Sequence, residues 1–279
     1  MRFHRLRTRT ALGAALAFAT AVTAGVFATG TANSAEPFTL PPVNAEFDYQ
    51  IGGAYAPPAG VKVVSRDHSD SPAPGLYNIC YVNAFQTQRA GDTDGPEDWD
   101  PSLLLRDEAG AVIIDPDWDE AILDITTDAK RQGVADKIKV RIDECAAKGF
   151  DALELDNFDT YTRDVVDGRI TASHAQTYIR LLSSHGHAKG MAVGQKNTVE
   201  LASQHEANGL DFAVAEECGD PRWNECSQYT DAFGANAIFI EYSSAGMRNA
   251  CQYADRVSVV RRDVEVSPAG SGGYLRETC

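Results

Sequence analysis

Residues 149–157 read Gly-Phe-Asp-Ala-Leu-Glu-Leu-Asp-Asn, and this stretch decides the predicted fold. A helical pattern over residues 136–148, with apolar residues on one face, ends at Gly149. The short apolar run that follows ends in the polar pair Asp156 and Asn157. A helix that leads into a short strand with a polar end is typical of α/β folds with a parallel sheet.

Short apolar runs of the same kind recur along the chain, with helical patterns at 173–186 and 198–207 between some of them. The eight runs lie at 49–51, 78–83, 122–125, 152–157, 191–197, 212–217, 238–242 and 257–260. A ninth, at 61–64, is interpreted as an extra strand. This alternation predicts an α/β fold, a single-domain (β/α)8 TIM-type barrel. A doubly wound open sheet is the alternative, although the sequence lacks the glycine-rich turn of its dinucleotide-binding members.

The composition is that of an acidic globular protein. The chain has 279 residues, of which 43% are hydrophobic, and a formal net charge of -15; its pI is near 4.7. Sequence-independent nucleic-acid binding needs a basic face, so no nucleic-acid partner is expected. The charge favours a neutral or cationic partner instead. We expect no cofactor and a monomeric protein.

The first 35 residues are typical of a secretory signal peptide. Four arginines fall within the first nine residues, an alanine-rich apolar stretch covers 11–27, and Ala32, Ser34 and Ala35 offer cleavage positions. A membrane anchor is the alternative, but the apolar run is short and broken by threonine and glycine. We therefore predict a signal peptide at 1–35, one domain at 36–279, and a secreted mature protein without membrane association.

The six cysteines fit an oxidising compartment, in which an even number indicates disulfides. The expected pairs are Cys218–Cys226, Cys251–Cys279 and Cys80–Cys145. The first pair is close in sequence, the second ties down the C-terminal tail, and the third joins the remaining two. A metal site is not expected, because the sequence has no C-x-x-C motif and no histidine at zinc-ligand spacing from the cysteines.

Polar residues gather where the predicted strands end. They are Asp124, Glu154, Asp156, Asn157, Lys196, Asn197, Glu216, Glu217 and Glu241. In a barrel the carboxyl ends of the strands converge on one mouth, where the chemistry of such folds takes place. Clustered carboxylates repel one another and shift each other's pKa, so their presence needs a reason. Three are open: a carboxylate pair that hydrolyses a glycosidic bond, a hard-cation site, and charge balance with Lys196 and nearby arginines.

Six motifs in order give the sequence a family resemblance. They are Phe-Asp-Tyr-Gln-Ile at 47–51, Ile-Cys-Tyr at 79–81, Asp-Trp-Asp-Glu running on to Leu-Asp-Ile at 117–125, the stretch at 149–157, Val-Gly-Gln-Lys-Asn at 193–197, and Leu-Asp-Phe-Ala-Val-Ala-Glu-Glu-Cys at 210–218. Together they resemble glycoside hydrolase family 114, the endo-α-1,4-polygalactosaminidases. Leu155 departs from a frequent proline of the family, Thr198 from an aspartate, and Glu217 from a glutamine. Adjacent strand residues face opposite sides, which leaves the direction of Glu217 open.

The resemblance implies a (β/α)8 barrel that cleaves internal α-1,4 bonds of galactosamine polymers. It implies Asp156 and Glu216 as the catalytic carboxylates, and we expect Asp156 to be the nucleophile and Glu216 the general acid and base. Candidate substrate-binding residues are Tyr49, Tyr81, Asp124, Glu154, Asn157, Lys196, Asn197, Glu217, Glu241 and Tyr242. Trp118 and Trp223 are candidates for stacking on sugar rings. The alternatives are a barrel glycosidase for another α-linked polysaccharide and a catalytically inert carbohydrate-binding barrel.

Overall fold

A computed structural model describes residues 38–279, and parallel strands form its centre. The strands in chain order are β1 (Phe47–Gln50), β2 (Val63–Asp67), β3 (Tyr77–Asn83), β4 (Gln86–Arg89), β5 (Ile114–Asp115), β6 (Glu120–Ile122), β7 (Ala152–Asp156), β8 (Ala192–Lys196), β9 (Phe212–Glu216), β10 (Ala237–Glu241), β11 (Ser258–Arg262) and β12 (Arg276–Glu277). Eight of them pair in parallel in the order β1-β2-β3-β7-β8-β9-β10-β11. Because β1 and β11 lie side by side, the sheet curves into the predicted TIM-type barrel.

Helices cover the outside of this barrel. They are α1 (Asp128–Lys148), α2 (Ala172–Ala188), α3 (His205–Asn208), α4 (Cys226–Phe233) and α5 (Ser244–Ala250). The first begins where the Thr127 side chain accepts a hydrogen bond from the Lys130 amide, and it ends at Gly149 in the left-handed conformation. The helical pattern predicted at 198–207 forms a 3-10 helix, Val199–Gln204, that runs into the short α3.

Two predicted strand assignments were wrong. The run at 61–64, interpreted as an extra strand, belongs to β2, which pairs with β1 and β3 as the second barrel strand. The run at 122–125 is not a barrel strand. Its first residue ends β6, which pairs antiparallel with β4 and β5 in a separate three-stranded sheet inserted after β3. Leu123 and Ile125 are buried in the cluster that packs around α1, so the apolar pattern is satisfied outside the barrel.

Alternation along the barrel strands separates an interior from an outer layer. On β10, Ile238 and Ile240 pack inside the barrel, whereas Phe239 packs in the cluster between β9, β10 and the helices. Gly194 on β8 leaves room for the ring of Phe212 on β9, since a Cβ at Gly194 would lie 2.8 Å from that ring. The interior is thus filled by side chains up to the level of the strand ends.

Three disulfides join the elements, and they are the three pairs predicted from the sequence. Cys80–Cys145 links β3 to α1, Cys218–Cys226 links the segment after β9 to α4, and Cys251–Cys279 holds the C-terminal residue. No cysteine among the described residues is free. In residues 38–279 no helix is both long and apolar enough to cross a membrane. The predicted signal peptide at 1–35 lies outside the described residues.

Candidate active site

A large cleft opens at the carboxyl ends of the barrel strands, with a volume of about 750 Å³. Of the described residues that line it, ten are acidic and one, Arg163, is basic. The acidic residues are Asp67, Asp117, Glu120, Asp156, Asp159, Glu200, Glu216, Glu217, Glu225 and Glu265. A concave site with one sign of charge raises the local concentration of ligands of the opposite sign, so this cleft attracts cations.

Asp156 is the last residue of β7, and three donors hold its carboxylate. The Tyr81 hydroxyl donates to Oδ2 at 2.7 Å, and the Asn157 amide donates to Oδ1 at 2.7 Å. The ammonium of Lys196 lies 3.3 Å from Oδ1. Asn157 has a φ of 65°, a left-handed conformation that asparagine adopts readily, and this turn brings its own amide back onto the Asp156 carboxylate.

Glu216 ends β9 and is held in a matching way. The Tyr242 hydroxyl donates to Oε1 in a short hydrogen bond, and Asn197 Nδ2 donates to Oε2 at 3.2 Å. Asn197 also accepts a hydrogen bond from the Glu216 amide, at 2.8 Å, so one side chain fixes both the backbone and the carboxylate. Each carboxylate therefore has one tyrosine and one asparagine partner.

Lys196 lies beneath the two carboxylates and connects them. Its ammonium is 3.3 Å from Asp156 Oδ1 and 3.3 Å from Glu216 Oε2, so these two oxygens are separated by at most twice that distance. The same ammonium binds Glu154 Oε1 at 2.9 Å and the Tyr49 hydroxyl at 3.0 Å. Burial opposes its charge, but the surrounding carboxylates raise the pKa of Lys196 well above its usual value. Lys196 is therefore a buried permanent cation.

This arrangement controls the ionisation of Asp156. Burial alone raises the pKa of a carboxyl group, but the Lys196 ammonium, the Tyr81 hydroxyl and the Asn157 amide all favour the charged form. The net result is that the pKa of Asp156 lies below its usual value. Burial, followed by the negative charge of Asp156, raises the pKa of Tyr81, which therefore stays protonated and donates. Asp156 is thus an ionised, oriented carboxylate at neutral pH.

Seven of the residues predicted for the site line the cleft together. They are Tyr81, Asp156, Asn157, Asn197, Glu216, Glu217 and Tyr242. Glu217 has a φ of 54°, which breaks the strand alternation and turns its side chain to the same mouth as Glu216. Three more form the layer below, where Glu154 accepts hydrogen bonds from Tyr49 at 2.8 Å and from Ser65 at 2.6 Å and pairs with Lys196. The three residues of that layer, Tyr49, Glu154 and Lys196, lie below the two carboxylates and are not among the residues that line the cleft.

Two predicted substrate-binding residues lie elsewhere. Asp124 follows β6 instead of a barrel strand, and its carboxylate accepts hydrogen bonds from Thr126 and pairs with Lys130. Glu241 ends β10 but alternates outward, as Phe239 does, and accepts a hydrogen bond from the Gly219 amide at 2.7 Å. Burial raises the pKa of Glu241 to about 7. Neither residue is among those that line the cleft.

Of the ten acidic residues that line the cleft, the sequence predicted three as site residues, and the seven it did not include Glu120 and Asp159. Burial raises the pKa of Glu120 to about 7, against the hydrogen bond from Asn83, and raises that of Asp159 to about 6, against the Arg163 guanidinium. Asp159 comes two residues after Asn157, the end of a predicted barrel strand, and that position was its signal. Glu120 stands before a predicted strand instead of at its end, and only its place in the Asp-Trp-Asp-Glu stretch of the family resemblance marked it.

The two candidate tryptophans also line the cleft, on different loops. Trp118 is 38% exposed and Trp223 is 56% exposed, and both side chains border the cleft. The Arg222 guanidinium lies 5.7 Å from the centre of the Trp223 ring. The positions support the stacking role that the sequence analysis considered for both residues.

Within residues 38–279, one group of side chains has the spacing of metal ligands: Cys218, Cys226 and Glu241. The two sulfurs are bonded to each other as a disulfide and offer no thiolate, so the donor set does not suit a metal.

Comparison with known proteins gives a family and a fold. Among solved structures, Aspergillus fumigatus Ega3 in complex with galactosamine superposes with a TM-score of 0.70 at 20% identity, covering 87% of this chain and 98% of that one. The glycoside hydrolase domain of PelA from Pseudomonas aeruginosa gives 0.54 at 15% identity, covering 81% and 96%. No curated protein matches the sequence. The model of glycoside-hydrolase family GH114 matches residues 28–279, and the chain therefore belongs to this family.

Proposed function

We propose that the protein is a secreted endo-acting glycoside hydrolase that cleaves α-1,4 bonds in polysaccharides containing galactosamine with free amino groups. The observation that carries the substrate assignment is the acidic lining of the cleft, with ten carboxylates against one guanidinium. A sugar with a free amine is cationic at neutral pH and is attracted to such a surface. The fold shared with Ega3, whose structure holds galactosamine, supports the same substrate.

In the proposed mechanism the carboxylate of Asp156 attacks the anomeric carbon while Glu216 donates its proton to the glycosidic oxygen. The bond from the anomeric carbon to that oxygen breaks, and a covalent glycosyl ester on Asp156 forms. Glu216, now ionised, then takes a proton from water, and the resulting hydroxide displaces Asp156 from the sugar. Two displacements at one carbon retain its configuration.

The geometry around Lys196 supports this assignment of roles. Carboxyl groups of retaining glycosidases are roughly 5–5.5 Å apart, whereas inverting enzymes need about 6.5–9.5 Å for a water molecule. The shared ammonium at 3.3 Å from both carboxylates keeps the pair close together. The low pKa of Asp156 suits a nucleophile, because the attacking group must be ionised.

Secretion is part of the proposal and rests on the cysteines. All six are paired in disulfides, which persist in oxidising compartments outside the cytoplasm. The predicted signal peptide and the extended nature of a polysaccharide substrate agree with activity outside the cell. A monomeric enzyme stays a prediction.

The test is an end-product assay on α-1,4-linked galactosamine polymer from which part of the acetyl groups has been removed. We expect wild type to release short cationic oligomers, seen by mass spectrometry, and Asp156→Asn to release none. Asp255→Asn removes a carboxylate from the outer surface and serves as the matched control. NMR of the first product gives the anomeric configuration, and an inverted product would contradict the nucleophilic role of Asp156.

The same assay separates the alternatives. A folded wild-type protein that releases nothing from this polymer but cleaves an N-acetylated α-linked polymer would overturn the substrate assignment. A folded protein that binds the polymer and cleaves neither would leave an inert carbohydrate-binding barrel as the interpretation.

A further inference from the structure

We propose that Glu120 is the specificity-determining carboxylate of this site: it binds the ammonium group of the sugar unit that lies against Asp156 and so selects free amine over N-acetyl. This inference rests on the proposed function, because it concerns which galactosamine units the cleft accepts. It assigns a task to a residue that the catalytic mechanism does not use.

A chain of hydrogen bonds places Glu120 next to the reaction centre. Its Oε2 accepts from Asn83 Nδ2 at 2.8 Å, and Asn83 Oδ1 accepts from Asn157 Nδ2 at 3.0 Å. The Asn157 amide in turn donates to Asp156. Glu120 is therefore held at a fixed position two side chains away from the proposed nucleophile, on the wall formed by the inserted sheet.

Glu120 lacks a cationic partner of its own among the described residues. Arg89, its neighbour across the β4–β6 pair, donates Nε to the Trp118 carbonyl at 2.9 Å and forms no ion pair with Glu120. By contrast, Arg163 pairs with Asp115 at 3.0 Å. The charged groups that face Glu120 are Asp156 from β7, Asp115 from β5 and Arg89 from β4. A substrate ammonium would supply the missing positive charge.

The turn that leads into Glu120 also presents a surface for the sugar ring. Trp118, two residues before Glu120, lines the same cleft with an exposed indole. Two hydrogen bonds hold this turn: the Asp115 carboxylate accepts from the Asp117 amide at 2.9 Å, and the Asp115 carbonyl accepts from the Asp119 amide at 2.8 Å. An apolar ring face and a carboxylate on one fixed turn match a sugar that has an apolar face and a cationic amine.

Discrimination follows from what each substrate offers to Glu120. An ammonium donates charge-assisted hydrogen bonds, which are roughly twice as strong as neutral ones. An N-acetyl group is neutral, offers one N–H, and leaves the carboxylate partly desolvated without compensation. The half-buried position strengthens the difference, because screening by solvent is weaker there.

The experiment compares Glu120→Gln with wild type on two polymers, one fully de-N-acetylated and one N-acetylated, both α-1,4-linked. We expect kcat/KM on the free-amine polymer to fall about tenfold to hundredfold, mainly through KM, and activity on the N-acetylated polymer to stay the same or rise. Glu108→Gln, an exposed residue of the same inserted segment outside the cleft, is the matched control.

The pH dependence of KM gives a second readout that a merely structural role would not move. Protonation of Glu120 removes its charge, and burial raises its pKa to about 7, so KM for the free-amine polymer should rise as the pH falls below 7. Glu120→Gln should weaken this dependence. An equal loss on both polymers, or an unchanged pH profile of KM, would overturn the proposal.

Failure of the proposed function has a different signature. If wild type cleaves neither polymer, calorimetric binding of short galactosamine and N-acetylgalactosamine oligomers still tests Glu120. The assignment is supported if wild type binds the free-amine oligomer more tightly than the N-acetylated one and Glu120→Gln has lost this preference. It is contradicted if both proteins prefer the free-amine oligomer to the same extent.

Discussion

At the residue scale, the two carboxylates of the site differ in what stabilises their charge. Asp156 receives a tyrosine hydroxyl, a backbone amide and an ammonium, whereas Glu216 receives a tyrosine hydroxyl, an asparagine amide and the same ammonium. A nucleophile has to be ionised throughout the working pH range, and a general acid has to carry a proton at the start of the cycle. Each carboxylate thus has three donors, and the division of roles proposed above is supported by the pKa of Asp156, which Lys196, Tyr81 and the Asn157 amide hold below its usual value.

Tyr81→Phe tests this assignment without removing a charge. The substitution deletes one donor to the Asp156 carboxylate, so the pKa of Asp156 should rise towards its usual value. Activity requires the ionised form and is lost as the pH falls through that pKa. We therefore expect the acid limb of the kcat/KM profile to move up by about one pH unit.

Tyr242→Phe is the matched control, because it removes the same hydroxyl group from Glu216. It should leave the acid limb in place, although the maximal rate can fall. If the acid limb moved with Tyr242→Phe and stayed put with Tyr81→Phe, the roles of the two carboxylates would have to be exchanged.

At the scale of elements, most of the barrel was predictable from the sequence and one insertion was not. Strands such as β7 and β9 combine an apolar run with a polar end, and that pattern placed both carboxylates among nine candidate residues, from which the family resemblance selected the pair. The run at 122–125 has the same pattern, but its apolar side chains pack around α1. Periodicity shows that a segment is buried on one side and does not show which sheet it joins.

The missing part of the site has the same origin. Glu120 begins β6 and reaches the cleft beside the turn that carries Trp118, so its position depends on the inserted sheet, and the sequence analysis had assigned the run at 122–125 of that region to the barrel. Glu241 was misplaced for the opposite reason. Its strand was predicted correctly, but the last residue of a strand faces in or out according to register, which the polar end alone does not fix.

The contact between β8 and β9 gives a prediction at this scale. A Cβ at Gly194 would lie 2.8 Å from the Phe212 ring and 3.2 Å from the Leu153 carbonyl oxygen, inside a closely packed barrel. We expect Gly194→Ala to lower the free energy of unfolding by about 1–3 kcal/mol in denaturant titrations. Gly272→Ala, where no atom lies within 4 Å, is the control.

The expected destabilisation by Gly194→Ala comes from overlap of the new Cβ with the Phe212 ring, and a double-mutant cycle tests this cause. Phe212→Leu alone leaves a cavity and destabilises, but together with Gly194→Ala it relieves the overlap. The double variant should therefore lose less stability than the two single losses added. Additive losses would show that the ring is not what opposes the alanine.

At the scale of the whole molecule, charge and topology act together. The chain carries a net charge of -15, and the predicted loss of four signal-peptide arginines would make the mature protein still more negative. The cleft concentrates this charge where the parallel strands end, while Lys196 keeps the two central carboxylates close despite their repulsion. The acidic residues of the cleft thus produce the electric field that attracts a cationic polymer. Lys196, a single buried cation, holds the two carboxylates that carry out the proposed reaction.

The barrel also has a seam, where β12 pairs antiparallel with β11 beside β1. Arg276 crosses this seam, with its guanidinium 3.1 Å from the Phe47 carbonyl and 3.3 Å from Asp48, and the Cys251–Cys279 disulfide fixes the strand that carries it. That disulfide closes a loop of 28 residues. The loss of conformational entropy that a loop of this size imposes on the unfolded chain stabilises the folded state by about 3.5 kcal/mol. The seam is thus held by one covalent bond and a short strand.

Replacing Cys251 and Cys279 by alanine should lower the free energy of unfolding by about 3.5 kcal/mol and speed amide hydrogen exchange in β12 and β1. We expect the rate of polymer cleavage at low temperature to stay close to that of wild type, because at least two strands separate β7 and β9 from the seam on either side. The matched control replaces Cys218 and Cys226 by alanine and so opens a loop of only 8 residues beside Glu216. Compared with loss of the Cys251–Cys279 bond, it should lower the free energy of unfolding less and lower the rate of polymer cleavage more. Unaltered exchange in β12 after loss of the Cys251–Cys279 bond would mean that the strand pairing alone closes the barrel.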